Sequence, residues 1–232
     1  MSTHLARRVT VGLAATAASA GMLLAAGAPA GATAGATTTN FNNACWAAAP
    51  GNVAQVEPAS VTVNHTVVAP AGSENTYTIQ FGSQTTPSTS PVPLYTFTGL
   101  SDVRYKLNYN TSTLLSATKS TTGTNITGSP TVAYSGGDLT LGTFSVAPST
   151  TFTPPEITVK TNSPVFDVVL ATSGTAAQFG NYADNYFHFK SNGRALGLPA
   201  NANTSCIPAN GPVSASDVGN YPTLNAGAGT LH

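Results

Sequence analysis

Asp102-Val103-Arg104-Tyr105-Lys106-Leu107-Asn108-Tyr109 alternates without a break between bulky apolar residues and polar ones. Successive side chains of a strand point to opposite faces, so Val103, Tyr105, Leu107 and Tyr109 line an inner face and Arg104, Lys106 and Asn108 a wet, basic one. Working outward, Val61, Val63, His65 and Val67 share one strand face, and Tyr77, Ile79 and Phe81 share another. Pro70-Ala71-Gly72-Ser73 reads as the turn between these two strands. Leu94 to Thr98 reads as an edge strand, because Pro91 and Pro93 cannot donate to a ladder. Thr131 to Tyr134 and Leu139 to Phe144 flank a hairpin turn at Ser135-Gly136-Gly137-Asp138. Leu114-Leu115 and Asn125-Ile126 give weaker strand signals, and Glu156 to Lys160, Val165 to Leu170 and Tyr186 to Lys190 complete the set. Ser191-Asn192-Gly193 then predicts a tight reversal. Roughly nine short strands and no long helix predict a single all-β domain, an antiparallel β-sandwich or open barrel, immunoglobulin-like in general architecture.

Composition agrees. Of 232 residues, 41% are hydrophobic, which suffices for one sizeable core, and only 7% are charged. The polar surface must therefore be built from Thr, Ser and Asn, and β-branched Thr and Val favour a pleated sheet.

Met1 to Arg8 carries His4, Arg7 and Arg8, and the Ala- and Leu-rich run Val9 to Ala26 is followed by small residues. This is the pattern of a secretory signal peptide, with cleavage expected after Ala30, Ala34 or Ala36. A membrane anchor is the alternative, but Thr10, Gly12, Thr16, Ser19 and Gly21 dilute the run. Residues 1–36 are thus assigned to export, 37–208 to the sandwich, and the Gly-, Ala- and Ser-rich 209–232 to a flexible tail. Loss of Arg7 and Arg8 would leave six basic residues against eight acidic ones, with no basic patch for nucleic acid.

Cys45 and Cys206 are the two cysteines, and in an exported chain they are expected to form one disulfide rather than two free thiols. Trp46, the one tryptophan, adjoins the first. Immunoglobulin domains bridge neighbouring core strands, whereas here the cysteines lie at the two ends of the domain, so immunoglobulin topology is not expected.

Chemistry is harder to find. Gly99-Leu100-Ser101-Asp102-Val103 begins a nucleophile elbow and lacks its last glycine. His65 and His188 sit in mid-strand, where a structural role is the expectation. A hydrolase using His188 with a serine and an acidic residue is the alternative. His65, His188, Asp167 and Asp184 make the only set that could ligate a metal, and they match no metal motif, so neither a metal nor a cofactor is expected. Asn64, Asn110, Asn125 and Asn203 each begin an N-x-[ST] triplet, which this composition produces as background. The aromatic residues carry the functional hint: Tyr95, Tyr105, Tyr109, Tyr182, Tyr186, Phe187 and Phe189 cluster in the strand segments. Tyr105, Tyr109, Tyr182 and Tyr186 are the candidate ligand contacts, since tyrosine offers an apolar ring with a hydrogen-bonding end suited to a sugar or glycolipid. Filling of the core is the competing reading of the same rings.

The Ala-rich leader, the early cysteine, Pro58-Ala59-Ser60-Val61-Thr62-Val63, the Thr-rich strands and Cys206-Ile207-Pro208 resemble small secreted actinobacterial β-sandwich proteins of no established function. The resemblance spans about residues 41 to 208 and implies a secreted or envelope-associated protein with a structural or ligand-binding role, its partner a cell-envelope carbohydrate or glycolipid. It carries no catalytic residue.

Overall fold

The computed structural model describes residues 34–47, 53–90, 92–172, 184–209 and 230–231. The strands are β1 (Gly35–Ala47), β2 (Val53–Val67), β3 (Asn75–Phe81), β4 (Gln84–Thr85) and β5 (Tyr95–Tyr109). After them come β6 (Leu114–Lys119), β7 (Thr131–Ser135), β8 (Asp138–Val146), β9 (Thr151–Phe152) and β10 (Ile157–Thr161). The chain closes with β11 (Val168–Leu170), β12 (Phe187–Ala195), β13 (Leu198–Ala209) and β14 (Thr230–Leu231).

Ten of these follow one another in the order β6-β10-β3-β2-β1-β13-β12-β5-β8-β7, antiparallel throughout. The two ends meet, and the Tyr134 hydroxyl on β7 donates to the Leu115 carbonyl on β6 at 3.4 Å. The sheet therefore nearly closes on itself, which removes most of its edges. The result is the single all-β, sandwich- or barrel-like domain expected. β11 and β14 extend the far end of β5, and β4 and β9 form a separate two-stranded ribbon.

The alternating segments behave as their period requires. Val103, Tyr105 and Leu107 are buried on β5, as are Tyr77, Ile79 and Phe81 on β3 and Val61, Val63 and His65 on β2. A register shift after His65 then turns Val67 out, to 51% exposure. At the core Tyr105 stacks on Phe81, with centroids 4.1 Å apart, and on Phe187 at 4.6 Å. Gly136 and Gly137 take φ of 59° and 93° in the β7–β8 turn, the geometry for which the Gly-Gly pair was read as a hairpin.

Several features differ from the sequence reading. Asn125-Ile126 is no strand but lies between isolated bridges at Thr124 and Thr127, and β4, β9 and β14 are short strands that the sequence reading did not include. β1 and β13 were not expected, because Thr37-Thr38-Thr39-Asn40 and Asn201-Ala202-Asn203-Thr204 carry no large apolar alternation. They are strands because each is paired along its length by neighbours that do. Leu94–Thr98 is not a separate strand, since β5 runs on through an irregularity between Leu100 and Val103. Its first five residues nonetheless have β12 as their one ladder partner among the described residues, so the edge character holds. The reversal read at Asn192-Gly193 lies instead at Leu196-Gly197, and Asn192 and Gly193 are in mid-strand. Gly193 is needed there because the Tyr95 ring lies over it, and a Cβ would strike that ring.

Cys45 and Cys206 stand directly opposite each other on β1 and β13 and form a disulfide. Of the expected export segment 1–36, residues 1–33 lie outside the described residues and Gly35 and Ala36 begin β1, so a cut after Ala30 or Ala34 leaves β1 whole and one after Ala36 shortens it by two residues. Of the expected tail, 210–229 lie outside the described residues, whereas Thr230 and Leu231 pair with Val169 and Val168.

Candidate functional site

One end of the barrel holds an apolar cavity of about 170 Å³. It forms where β5 loses its second neighbour. β8 begins to pair with β5 at Leu100, so the wall beside Tyr95–Gly99 is left open on that side. Phe97 and Leu100 of β5 line the gap, Phe187 and Phe189 of β12 form the floor by ordinary alternation, and Phe152 of β9 closes it from across. The ribbon of β4 and β9 and the segment after it form the cover. That segment is tied down by Thr86 N to Thr150 O at 3.0 Å, Thr86 Oγ1 to Ala147 O at 2.7 Å and Ser149 N to Pro87 O at 3.2 Å. Tyr95 stands at the side, its hydroxyl donating to Ala200 O at 3.1 Å and Ser191 O at 3.3 Å.

Two features give this cavity chemical character. The disulfide forms part of its wall through Cys45. Asn43, 1% exposed, also lines it, and its Oδ1 is buried with no hydrogen-bond partner among the described residues. A buried amide oxygen without a partner costs about 1–3 kcal/mol, so a hydroxyl or amide N–H brought to Asn43 would gain more than a surface hydrogen bond does. Glu57, Gln84 and Thr85 add polar groups to the lining.

No known family, curated protein or solved structure matches this chain. What the cavity does must be read from its own side chains.

Of the aromatic residues singled out by sequence, Tyr95, Phe187 and Phe189 line the cavity, whereas Tyr105, Tyr109 and Tyr186 do not. Tyr105 and Tyr186 are each 1% exposed, Tyr105 inside the aromatic stack and Tyr186 edge-on to Phe41 at 5.8 Å. Tyr109 is half-buried at the end of β5, and Tyr182 lies outside the described residues. Desolvation pushes the Tyr105 hydroxyl well above its usual range, and the same burial, with Tyr105 nearby, does so for Tyr186. Both rings are thus core, and a solvent-open sugar platform is not built from them. The segment behind Pro91 and Pro93, read from sequence only as an edge strand, supplies Tyr95 and Phe97 to the lining.

His188 occupies a second, polar depression of about 420 Å³ on the outer face, with Arg104, Lys106, Asp138 and threonines. Its Nδ1 lies 3.3 Å from Asn185 O, and Ser205, its cross-strand neighbour, has its Oγ 3.1 Å from Asn185 Nδ2. Carboxylates nearby are engaged by lysines: Asp138 and Asp184 by Lys106 at 3.0 and 3.4 Å, and Asp102 by Lys190 at 2.6 Å. Burial lowers the imidazole's affinity for a proton; Asn185 O works against this, and Arg104 and Lys106 add to it. The sign follows: a group whose folded pKa is depressed keeps its stabilising effect above its unfolded pKa and loses it as pH falls below about 6.5. His188→Gln is expected to cost about 1 kcal/mol at pH 7 and to flatten the loss of stability as pH falls below about 6.5, measured by urea unfolding above and below that pH.

His65 is accounted for structurally. Its Nε2 donates to Asn75 Oδ1 at 3.0 Å and its ring stacks on Tyr77 at 4.1 Å. Among the described residues no group of three or more His, Cys, Asp and Glu side chains stands together to hold a metal.

Proposed function

We propose that this chain is an exported ligand-binding protein whose barrel-end cavity takes the apolar part of a small amphiphile, such as the alkyl or ring portion of a glycolipid. The cavity beside Phe97, Phe152, Phe187 and Phe189 carries this reading. At about 170 Å³ it is close to the roughly 150 Å³ apolar cavity that admits benzene, so it suits one ring or a short chain rather than a whole lipid. Asn43 supplies the polar contact within, and Glu57, Gln84 and Thr85 give a sugar hydroxyl groups to bond. The leader-like start and the disulfide support action outside the cytoplasm or at the cell envelope.

The alternative is a hydrolase centred on His188, with Ser205 across the ladder as the available serine. Ser205 is 4% exposed and bonded to Asn185, which speaks against its hydroxyl meeting a substrate. Turnover of esters, peptides or glycans by the parent that vanishes in folded His188→Gln would favour the hydrolase.

The binding reading predicts saturable uptake of hexyl β-glucoside in titration calorimetry. Ala202, buried at 4% exposure, lines the cavity, and Ala202→Leu would fill it. The variant should keep its melting transition and lose at least about tenfold in affinity, a change of about 1.4 kcal/mol. No binding by the parent, or equal binding by the folded variant, would remove the cavity from consideration.

A further inference from the structure

Leu94, Leu196 and Leu198 are exposed at 77%, 79% and 70%, above every other large hydrophobic side chain described. They belong to two turns that meet at one end of the molecule. Leu94 ends the turn before β5, and Leu196-Gly197 is the turn between β12 and β13. Leu196 N donates to Leu94 O at 3.4 Å, joining them.

The backbone makes this arrangement more unusual. Leu94 has φ of 64° and Leu196 φ of 50°, the left-handed region in which a bulky side chain costs about 1 kcal/mol or more. Asparagine or glycine would sit there at less cost and would face water at less cost too. Folding alone therefore gives no reason for leucine at either place, whereas a partner that buries both side chains does.

Size and charge choose the partner. A stable protein interface needs about 800 Å² from each side, and three leucine side chains on two turns offer only part of that. Insertion into a bilayer needs no such area, since each apolar side chain gains by leaving water on its own. Residues 92–100 and 191–202, which build this end, carry Arg194 as their only charged residue. Arg194 is exposed and its Nη1 donates to Gly197 O at 3.1 Å, which holds the guanidinium beside the leucines. Leucines at the tip with one cation behind them match the layering of acyl chain and phosphate at a membrane surface.

We propose that this tip docks the protein on an anionic lipid bilayer, with Leu94, Leu196 and Leu198 inserted below the headgroups and Arg194 at the phosphates. It stands independently of what fills the cavity, although Tyr95, the residue after Leu94, lines that cavity as well. Docking would bring the cavity to the lipid surface.

The test is co-sedimentation of the exported protein with vesicles of phosphatidylglycerol and phosphatidylcholine, and with phosphatidylcholine alone. The parent should bind the anionic vesicles more tightly, with a preference that weakens in high salt. Leu94→Asn, Leu196→Asn and Leu198→Asn combined should reduce partitioning about tenfold or more while the melting temperature stays level or rises, because asparagine accepts the left-handed backbone. Leu115→Asn, half-exposed and on β6, is the control and should bind as the parent does. Failure of the parent to bind either vesicle, or unchanged binding by the folded triple variant, would overturn the proposal. A parent dimer in sedimentation velocity that the triple variant abolishes would overturn it in favour of a second copy of this chain.

Discussion

Reduction of the Cys45–Cys206 disulfide lowers the melting temperature by about 10–20 °C, the largest effect expected of any single covalent change in this protein. The two residues are 161 apart in sequence, so the bridge closes nearly the whole folded body into one loop. In the chain-entropy treatment a loop of that length removes about 5 kcal/mol of unfolded-state freedom, and a domain of this size melts about 2–4 °C lower for each kcal/mol lost. Its position adds a local reason. Cys45 and Cys206 are directly paired on β1 and β13, the two strands that carry few large apolar residues of their own. The bridge thus fastens the seam at which side-chain packing contributes least. Calorimetry with and without a phosphine reductant, with thiol labelling to verify reduction, measures the shift. A change below about 3 °C in fully reduced protein would show that these strands are held by their ladders and neighbours alone.

The second large effect separates two roles for Tyr105. Tyr105→Ala should cost about 3–5 kcal/mol, as removal of a large buried aromatic side chain does, because Phe81, Phe144 and Phe187 all lean on its ring. Tyr105→Phe should be neutral or stabilising by about 1 kcal/mol, since the hydroxyl is buried with no partner among the described residues. Tyr186→Phe follows the same logic. A ligand-contacting tyrosine would behave in the opposite way, tolerating Phe or Ala in stability and losing binding with either.

The same hydroxyls set an alkaline limit. Burial raises both in the folded protein, so the stability they confer is fully present below about pH 10, the unfolded value, and is lost as pH rises above it. Each contributes a loss of up to about 1.4 kcal/mol per pH unit there. The Tyr105→Phe, Tyr186→Phe double variant should hold its denaturation midpoint further into the alkaline range than the parent. Coincident alkaline limbs would place the pH sensitivity on other groups, Tyr77 and Tyr95 first, which are also raised by burial.

By itself the sequence determined the fold class, because a period of two in Asp102–Tyr109 and Thr76–Phe81 has one physical solution, a strand with one face buried. It pointed to the disulfide too, since a chain with a leader-like start and two cysteines of no metal-type spacing is most simply read as carrying one bridge. The inward set on β3 and β5 and the Gly136-Gly137 turn were legible for the same local reason. Only the tertiary structure made strands of Thr37–Asn40 and Asn201–Thr204, whose side chains are too small or polar to announce burial: the first pair with Ser60–Val63 and the second with Phe189–Asn192, across a turn at Leu196-Gly197 rather than at Asn192-Gly193. Only it put Gly193 under the Tyr95 ring in mid-strand, where local Asn-Gly chemistry calls for a turn. It also decided which aromatic rings are core and which border a cavity. Alternation tells which face of a strand a ring occupies, but the sheet must close, and β8 must stop short of Tyr95, before the inner face at that level becomes an open wall.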